Sequence, residues 1–376
     1  MSTLKVTNIE NPSGGGVSAK IADVGGGQLS NRNLIINGAM KVAQRGASSS
    51  LNNTSSYKTV DRFRTSNFIT GTSCTVSQEA DGPEGFAKSL KMNFTTGATP
   101  AASNSSGIIY KIEAQDLQRL NYGSSSAASM TLSFYVKSNK TGSASFEVIQ
   151  LDNSNKLFST SYSISSANTW EYKTITIPGD TSGLINDDND AGVQLFWWLN
   201  SGTDYQGGSY QTSWGSIADA NRNVSNLGVG SANGDYYQIT GVQLEVGSVA
   251  TTFEHRSFGD ELAKCMRYYH RITGQADQTM ICPVTCHSNN ASGDDFRGVY
   301  AFPVRMRADA AMTFNDLLIL HSSGDLAVTS GTSLDQTIYS IGLDMDTADT
   351  APSVNEMAIL RLNTVTTSYI EFSAEL

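Results

Sequence analysis

Residues 236–247 read Tyr236-Tyr237-Gln238-Ile239-Thr240-Gly241-Val242-Gln243-Leu244-Glu245-Val246-Gly247, and they alternate apolar and polar side chains as a half-buried β-strand does. The apolar parity changes inside the run: Tyr237 and Ile239 share one face, whereas Val242 and Leu244 have the opposite parity. Gly241 stands where the parity changes, and a glycine inside a strand pattern usually marks a bulge. The run therefore predicts a long strand with a bulge at Gly241.

Directly downstream, the period of the apolar residues changes from two to about 3.6, which is typical of an amphipathic helix. Ser257 can cap the helix N-terminus together with Asp260, and basic residues follow near its C-terminus. We predict a short helix whose apolar stripe either packs on the preceding domain or meets other chains around an oligomer axis. The candidate packing residues of this stripe are Phe258, Leu262, Met266 and Tyr269.

Upstream, short alternating runs recur between turn-rich segments over residues 33–254, as a β-sandwich requires. The apolar alternation of residues 132–136 resumes at residues 146–148 after the polar link Asn139-Lys140-Thr141-Gly142. These two runs predict a β-hairpin. Within this region only Glu113 to Leu120 suggests a helical turn.

The composition excludes several classes of partner. The 25 Lys and Arg residues against 35 Asp and Glu residues give a net charge of −10, which repels nucleic acid and anionic lipid surfaces. No apolar run approaches the roughly 20 residues of a membrane span, so we expect no membrane insertion. The first residues lack a basic start and an apolar core, and the four cysteines are too sparse for a disulfide scaffold. We expect reduced thiols and folding in a host cytoplasm.

The length of 376 residues is enough for two domains. Residues 1–32 contain two glycine triplets and few large apolar residues, so we expect an extended N-terminal attachment arm. Residues 33–254 are predicted to form a β-sandwich and residues 255–273 a short connecting helix. Residues 274–376 again show short β-like runs and are predicted to form a second, β-sandwich-like C-terminal domain. The predicted fold class is all-β.

Aromatic residues supply the main candidate binding site. The run from Val193 to Leu199 is apolar on both faces, with Trp198 on the second face. Either this strand is covered on both sides, or the second face exposes aromatic rings on which sugar rings stack, because such rings combine apolar area with a polar handle. The glycan-binding candidates are Trp198, Tyr205, Tyr210 and Trp214.

Two segments are weaker candidates for metal sites. The run Asn186-Asp187-Asp188-Asn189-Asp190 is rich in oxygen and could hold calcium, but it departs from the EF-hand pattern, and a solvated acidic turn is the simpler interpretation. Cys282 and Cys286 are spaced C-x3-C without a second pair, which favours two buried thiols on a strand. No frame for a catalytic nucleophile or a zinc protease is present, so we expect no enzyme and no cofactor.

Further motifs lie upstream of the segment quoted first. They are Asn33-Leu34-Ile35-Ile36-Asn37-Gly38-Ala39-Met40, Asp61-Arg62-Phe63, Ile112-Glu113 with Asp116-Leu117, Thr131-Leu132-Ser133-Phe134-Tyr135-Val136-Lys137-Ser138, and Trp170-Glu171-Tyr172-Lys173-Thr174-Ile175-Thr176-Ile177-Pro178-Gly179-Asp180. With residues 236–271 they resemble a domain common in tail-fibre and related virion proteins of tailed bacteriophages. The resemblance implies a jelly-roll sandwich similar to carbohydrate-binding modules, carried in a virion, with no known reaction and, by analogy, a homotrimer.

These observations favour a non-catalytic subunit of a phage tail fibre or spike. Residues 1–32 would attach it to a phage tail or adaptor protein, and its β domains would bind a host-surface glycan or receptor. One alternative is a capsid-decoration or other structural virion protein without receptor binding. A second alternative is a polysaccharide depolymerase, which would need two carboxyl groups held about 5 to 9.5 Å apart across a cleft.

Overall fold

A computed structural model of the chain describes residues 8–10, 17–20, 31–152, 155–274, 279–290, 293–322, 324–348, 355–363 and 367–376. The chain forms two compact units, Met1–Glu261 with Leu376 and Leu262–Glu375. Most of the predicted arm, including both glycine triplets, lies outside the described residues. Within it, Asn8–Glu10 (β1) and Val17–Lys20 (β2) form a two-stranded antiparallel ladder.

From residue 31 onward, the described part of the N-terminal unit contains strands of four to twelve residues, one two-residue strand and three short 3-10 helices. The strands are Ser48–Leu51 (β3), Thr54–Tyr57 (β4), Arg64–Asn67 (β5), Ser73–Glu79 (β6), Ser89–Thr96 (β7), Ser105–Glu113 (β8), Met130–Ser138 (β9), Gly142–Gln150 (β10), Lys156–Ile164 (β11), Glu171–Ile177 (β12), Ala191–Ser201 (β13), Gly215–Ser216 (β14) and Asp235–Val246 (β15). The 3-10 helices are Ala114–Leu120, Thr203–Tyr205 and Asp219–Asn221, and the first of them confirms the predicted helical turn.

Two antiparallel sheets enclose the core of this unit. One has seven strands in the order β14-β11-β10-β13-β8-β5-β4, and the other has six in the order β12-β9-β15-β7-β6-β3. Inward-facing side chains such as Phe134 on β9 and Trp197 on β13 meet between the sheets, with ring centroids 5.9 Å apart. The predicted all-β sandwich is confirmed.

The predicted bulge at Gly241 is confirmed. The pairing of β15 with β9 shifts register between Thr240 and Gln243, and Gly241 has a φ of +61°. Left-handed backbone of this kind favours glycine, because a Cβ would crowd the following carbonyl. The bulge turns Val242 and Leu244 onto the same inner face as Ile239, where all three are fully buried. This explains the change of parity in the sequence.

The predicted hairpin of residues 132–136 and 146–148 is wrong. Strand β9 pairs with β12 and β15, whereas β10 pairs with β11 and β13 in the opposite sheet. The link at residues 139–141 crosses from one sheet to the other, so both strands direct their apolar faces at the same core. The alternation shows that each of the two strands has one buried face, but it carries no information about which strands pair.

The segment around Asn33 is fastened by the guanidinium of Arg256. Its Nη1 donates to the carbonyl of Ile35 at 3.1 Å and to the carboxylate of Glu261 at 3.0 Å, while Nη2 donates to the carbonyl of Asn33 at 2.5 Å and to Glu254 at 3.1 Å. All of these groups are at least half buried, and charge-assisted bonds of this kind are among the stronger ones in proteins. The first and last motifs of the unit are therefore physically joined.

The two carboxylates complete this clamp from the other side. Glu254 accepts the backbone N–H of Asn33 at 2.9 Å, and Glu261 accepts that of Asn37. Burial alone would raise the pKa of Glu254, but the Asn33 bond and the charge of Arg256 outweigh burial and lower it. Both carboxylates are thus engaged in holding backbone and a cation, which makes them structural groups.

The C-terminal unit contains the remaining strands. They are Tyr269–Thr273 (β16), Met280–Asn290 (β17), Gly293–Ala301 (β18), Ala311–Asn315 (β19), Leu317–His321 (β20), Gly324–Gln336 (β21), Ser340–Thr347 (β22), Met357–Leu362 (β23) and Tyr369–Ser373 (β24). Six of them close into a barrel in the order β17-β18-β22-β21-β20-β23, and β16-β24-β19 form a separate sheet. The unit is all-β as expected, and its main sheet closes on itself where two open sheets were expected.

Strand β21 accounts for this difference. It joins β20 to β22 and so closes the barrel, yet most of its 13 residues are exposed and polar. Because it lacks a buried apolar alternation, the sequence pattern gives no strand there. Cys282 and Cys286 lie on the inner face of β17, and burial raises the pKa of Cys282 to about 11. The interpretation of two buried thiols is confirmed.

The predicted amphipathic helix is Phe258–Met266 (α1), and the two units divide within it. Ser257 Oγ accepts the N–H of Asp260 at 3.1 Å and donates to its carboxylate at 2.7 Å, so the predicted cap is confirmed. In the described part of the chain, no helix is both long and apolar enough to cross a membrane.

We expect His270 to make the C-terminal unit sensitive to acid. It is 9% exposed, stacks on Phe372, and its Nε2 lies 2.7 Å from the hydroxyl of Tyr300. Burial lowers its pKa to about 4, below the value of about 6.5 in an unfolded chain. The unfolded state therefore binds more protons between these values, and we expect this unit to lose about 2–3 kcal/mol as the pH falls from 6.5 to 4.

Hydrogen exchange of residues 269–273 between pH 7.5 and 4.5, corrected for intrinsic rates, measures this loss. The variant His270→Phe keeps an aromatic ring in the stack but removes the titrating group, so its stability should vary less with pH. Equal pH dependence in the two proteins would show that His270 is not the cause.

Candidate binding face of the N-terminal unit

Residues 202–227 cover the outer face of the seven-stranded sheet at β10, β11 and β13. Trp198 is 1% exposed, and its ring lies between Phe196, at a centroid distance of 4.5 Å, and Tyr205, at 5.1 Å. A ring so covered has no free face for a sugar. Of the two interpretations of this strand, the structure shows the one in which both faces are covered.

Arg222 fastens this cover to the sheet. Its guanidinium lies over the rings of Trp198 and Tyr205, at 5.2 and 5.6 Å, and forms a two-pronged pair with the carboxylate of Glu147 at 3.0 and 2.8 Å. Glu147 projects outward from β10 and is fully buried. Burial raises the pKa of Glu147, and the bonds from Arg222 oppose that rise.

The other two glycan candidates also hold the fold together. The hydroxyl of Tyr210 lies 2.8 Å from Ser145 Oγ and accepts the N–H of Ser225 at 2.9 Å. Trp214 donates its indole N–H to the carbonyl of Pro178 at 2.6 Å. Trp198 and Tyr205 are thus brought together, whereas Tyr210 and Trp214 lie in separate contacts.

The candidate packing residues of the helix have different environments. Phe258 is 56% exposed, while Leu262 and Met266 are half-buried. Tyr269 lies in strand β16 and not on the helix, because the chain turns after Met266 and Tyr269 pairs with Ser373 of β24. Leu262, Met266 and Tyr269 belong to the C-terminal unit.

The outer face of the six-stranded sheet carries an open set of aromatic and charged residues. Tyr172 on β12 pairs with Tyr135 on β9, and their ring centroids are 5.0 Å apart. Two positions away, just before β12 begins, Trp170 lies beside Lys137, whose Nζ is 5.7 Å from the ring centroid. Tyr172 is 46% exposed and Trp170 is half-buried. We call these residues, with Asp81 and Tyr236, the aromatic face.

Asp81 organises the polar groups of the aromatic face. Its carboxylate accepts from Lys137 Nζ at 2.8 Å, from the Trp170 indole N–H at 3.4 Å and from Gln238 Nε2 at 3.3 Å. The hydrogen bond from Lys137 is the main reason that the pKa of Asp81 is lowered. A charged carboxylate and an ammonium group therefore stand next to the exposed rings.

The aromatic face continues across the sheet to Tyr236. Lys91 on the neighbouring strand places its Nζ 4.8 Å from the centroid of this ring, and the Tyr236 hydroxyl donates to Asn168 Oδ1 at 2.7 Å. Cation–π contacts and hydrogen bonds of this kind fix the plane of an aromatic ring. The rings of the aromatic face are thus held in position before any ligand arrives.

A second aromatic cluster borders this face. Phe86 packs against Tyr135, Phe253 and His255 at centroid distances of 5.5, 4.9 and 5.2 Å. Gly241 makes room for it, because a Cβ there would lie 2.9 Å from the Phe86 ring. The bulge in β15 therefore also shapes the edge of the aromatic face.

Asp81 of the aromatic face and Glu171, which lies between Trp170 and Tyr172 in the chain, are poorly suited to acid catalysis. A glycosidase needs a carboxylic acid that is kept protonated, which requires a raised pKa. The pKa of Asp81 is lowered, and so is that of Glu171, where bonds from Lys173, Ser166 and Ser165 outweigh burial. The arrangement can bind a polar ring compound through stacking and hydrogen bonds.

The oxygen-rich turn at residues 186–190 is held by protein groups. Its backbone carbonyls at Asp188 and Asp190 accept the N–H groups of Gln115 and Ala114 at 2.8 and 2.9 Å. Among the residues that the structure describes, no group of three or more His, Cys, Asp or Glu side chains could hold a metal ion.

The sequence prediction missed the aromatic face. It counted the inward parity of Leu132, Phe134 and Val136 but gave no role to Tyr135 and Lys137 on the outward parity. Tyr135 in residues 131–138 and Tyr172 in residues 170–177 both stand at outward-facing positions of their strands, and this was a usable signal. What the sequence could not supply is the register that places Tyr135 opposite Tyr172.

No protein-family model and no curated protein matches the chain. Its structure is similar to the enzymatically active domain of tailspike protein 4 of bacteriophage CBA120, with 12% identity over 57% of this chain, 21% of the tailspike chain and a TM-score of 0.30. It is also similar to a family 11 carbohydrate-binding module of Clostridium thermocellum, with 12% identity over 55% of this chain and 98% of the module and a TM-score of 0.28. A xylan-binding domain of Paenibacillus barcinonensis is similar with 12% identity over 56% of this chain and 100% of that domain, and a TM-score of 0.27. The chain thus spans about a fifth of the tailspike chain. At these scores the ligands and activities of the neighbours carry no argument for this chain.

Proposed function

We propose that the chain is a non-catalytic adhesive protein that binds a glycan on the aromatic face. One observation carries this proposal: Tyr172 and Trp170 present ring surface beside the charged pair of Asp81 and Lys137, while the competing candidate Trp198 on the other sheet is covered. Binding sites for polar ligands commonly combine apolar rings with a few polar groups that fix orientation.

The chemistry of a pyranose matches these groups. One face of the sugar ring is made of C–H groups and packs on an aromatic ring, and its rim carries hydroxyls. Asp81 can accept from such hydroxyls, and Lys137 can donate to them. Because both side chains already hold each other at 2.8 Å, a ligand meets groups with little side-chain freedom left to lose.

The fibre role follows from the sequence resemblance and is part of the proposal. In this account the chain belongs to the virion tail, residues 1–32 attach it to a tail or adaptor protein, and the bound glycan lies on the host surface. The subunits form a homotrimer. Several shallow sites in one assembly give useful adhesion through effective concentration, even when each site is weak.

Loss of the Trp170 and Tyr172 rings tests the glycan site. We expect the double variant Trp170→Ala and Tyr172→Ala to bind its glycan at least tenfold more weakly, because truncation of an anchoring aromatic residue commonly costs about 2 kcal/mol. Phe68→Ala is the matched control, since Phe68 is 41% exposed in the same unit but lies outside the aromatic face. A glycan array followed by titration calorimetry with the best ligand measures both.

Two results would contradict the proposal. If the double variant binds as tightly as the unchanged protein, the glycan site lies elsewhere. If incubation of the protein with host envelope polysaccharide shortens the polysaccharide, the chain is a depolymerase and not an adhesive protein alone.

A further inference from the structure

The barrel of the C-terminal unit carries an apolar row on its outer surface. Leu320, Ile359, Pro283 and Val299 lie side by side on four strands: Leu320 pairs with Ile359, Ile359 with Pro283, and Val299 occupies the next position on β18. Leu334 extends the row, because its Cβ is 3.0 Å from the place where a Cβ of Gly342 would be. We call these five residues the apolar belt.

The apolar belt is not part of the barrel core. Val299 is 65% exposed, Leu334 is 39% exposed, and Pro283 is also exposed. Met357, two residues along β23 from Ile359, is 72% exposed. Exposed apolar patches that span several strands and have polar borders commonly mark surfaces that contact another protein.

An acidic border lies at one end of this face. Moving along β18 and β22 from the belt, the outward positions are Arg297 with Asp344, and then Asp295 with Asp346. Two of these three carboxylates share one guanidinium, since Arg297 lies 3.2 Å from Asp295 and 3.3 Å from Asp344, while Asp346 accepts from Ser330 Oγ at 2.6 Å. This end therefore carries a surplus of negative charge, and His287 faces Asp295 from β17.

A basic border lies at the opposite end of the same strands. Residues 302–306 continue past β18 beside the start of β22, where Phe302 N–H donates to the carbonyl of Tyr339 at 2.9 Å. Arg305 is exposed and lies 5.8 Å from the ring centroid of Tyr339, which is 60% exposed. The face thus runs from a group of carboxylates through the apolar belt to one exposed arginine.

We propose that this face binds a second copy of the chain, with the acidic end of one copy against the basic end of the next. A surface with opposite charges at its two ends is complementary to the same surface on a second copy that is rotated by half a turn. The acidic end of each copy then meets the basic end of the other, and the two apolar belts cover each other. A partner of uniform charge would meet a like charge at one end. The same patch on both copies makes a twofold contact that closes a pair of chains, so this pairing is separate from the homotrimer of the proposed fibre and does not rest on it.

Sedimentation velocity of the full chain over a concentration series tests this interface. We expect Val299→Asp to weaken self-association at least tenfold, because it places a charge in the apolar belt. Val249→Asp is the matched control, since Val249 is 59% exposed in the N-terminal unit. Arg305→Glu and Asp346→Arg should each weaken association at least tenfold, and the double variant should recover to within about threefold of the unchanged protein. Circular dichroism checks that each variant is folded.

The interface is wrong if the unchanged protein is monomeric, or if Val299→Asp and Arg305→Glu associate as it does. Failure of the double variant to recover would also overturn the acidic-to-basic contact. Glycan affinity per subunit, measured on the same variants, stays unchanged if only the interface is lost. The failure of this inference and the failure of the proposed glycan site are therefore separate results.

Discussion

Gly38→Ala should strongly destabilise the N-terminal unit, with a loss of at least about 3 kcal/mol and a melting temperature lower by about 6–12 °C. A Cβ at Gly38 would lie 2.0 Å from the carbonyl oxygen of Val242, which immediately follows the bulge glycine. Backbone cannot move away as a flexible side chain can. The substitution would therefore separate the first motif from β15, and with it the bond from Val242 N–H to the Gly38 carbonyl.

Tryptophan fluorescence during urea unfolding measures this loss, because all four tryptophans lie in the N-terminal unit. Gly259→Ala is the matched control: no heavy atom lies within 4 Å of its added Cβ, and the residue is in helix α1. We expect the control to be neutral or slightly stabilising, since alanine favours a helix more than glycine does. Equal stability of the two variants would contradict the packing of Gly38 on the bulge.

Arg222→Ala should open the cover over Trp198 and destabilise the N-terminal unit by about 3–5 kcal/mol. The reason is that Glu147 is fully buried and would lose its cation, while Trp198 and Tyr205 would lose the guanidinium that lies over them. Urea unfolding gives the stability, and acrylamide quenching of tryptophan fluorescence reports whether Trp198 has become accessible.

The double variant Glu147→Leu with Arg222→Met is the control for this prediction. Replacing both members of a buried ion pair by apolar residues of similar volume is often neutral, so most of the loss should be recovered. Unchanged stability and unchanged quenching in Arg222→Ala would show that the cover does not depend on the pair.

The sequence patterns were most informative where packing is local. The parity change at Gly241 predicted the bulge, and the 3.6 period after Ser257 predicted the capped helix, because both depend on residues that are neighbours in the chain. The clamp of Arg256 was not predicted. Its partners at Asn33 and Ile35 are more than 200 residues away, and only the fold brings them together.

Strand pairing was the main limit. The apolar parities of β9 and β10 predicted two half-buried strands, but they could not distinguish a hairpin from a crossing between sheets. The polar strand β21 gave no pattern, so the closure of the barrel was missed. Trp198 was a reasonable glycan candidate by residue type, and its burial depends on a cover whose fastening at Glu147 and Arg222 is a long-range contact.

Hydrogen exchange of the full chain, recorded with and without the tightest ligand of a glycan array, tests the central claim most directly. We expect slower exchange at residues 80–88 and 165–173, which contain Asp81, Trp170 and Tyr172, and no change at residues 203–226. Protection confined to residues 203–226 or to the C-terminal unit would contradict the assignment of the aromatic face as the glycan site.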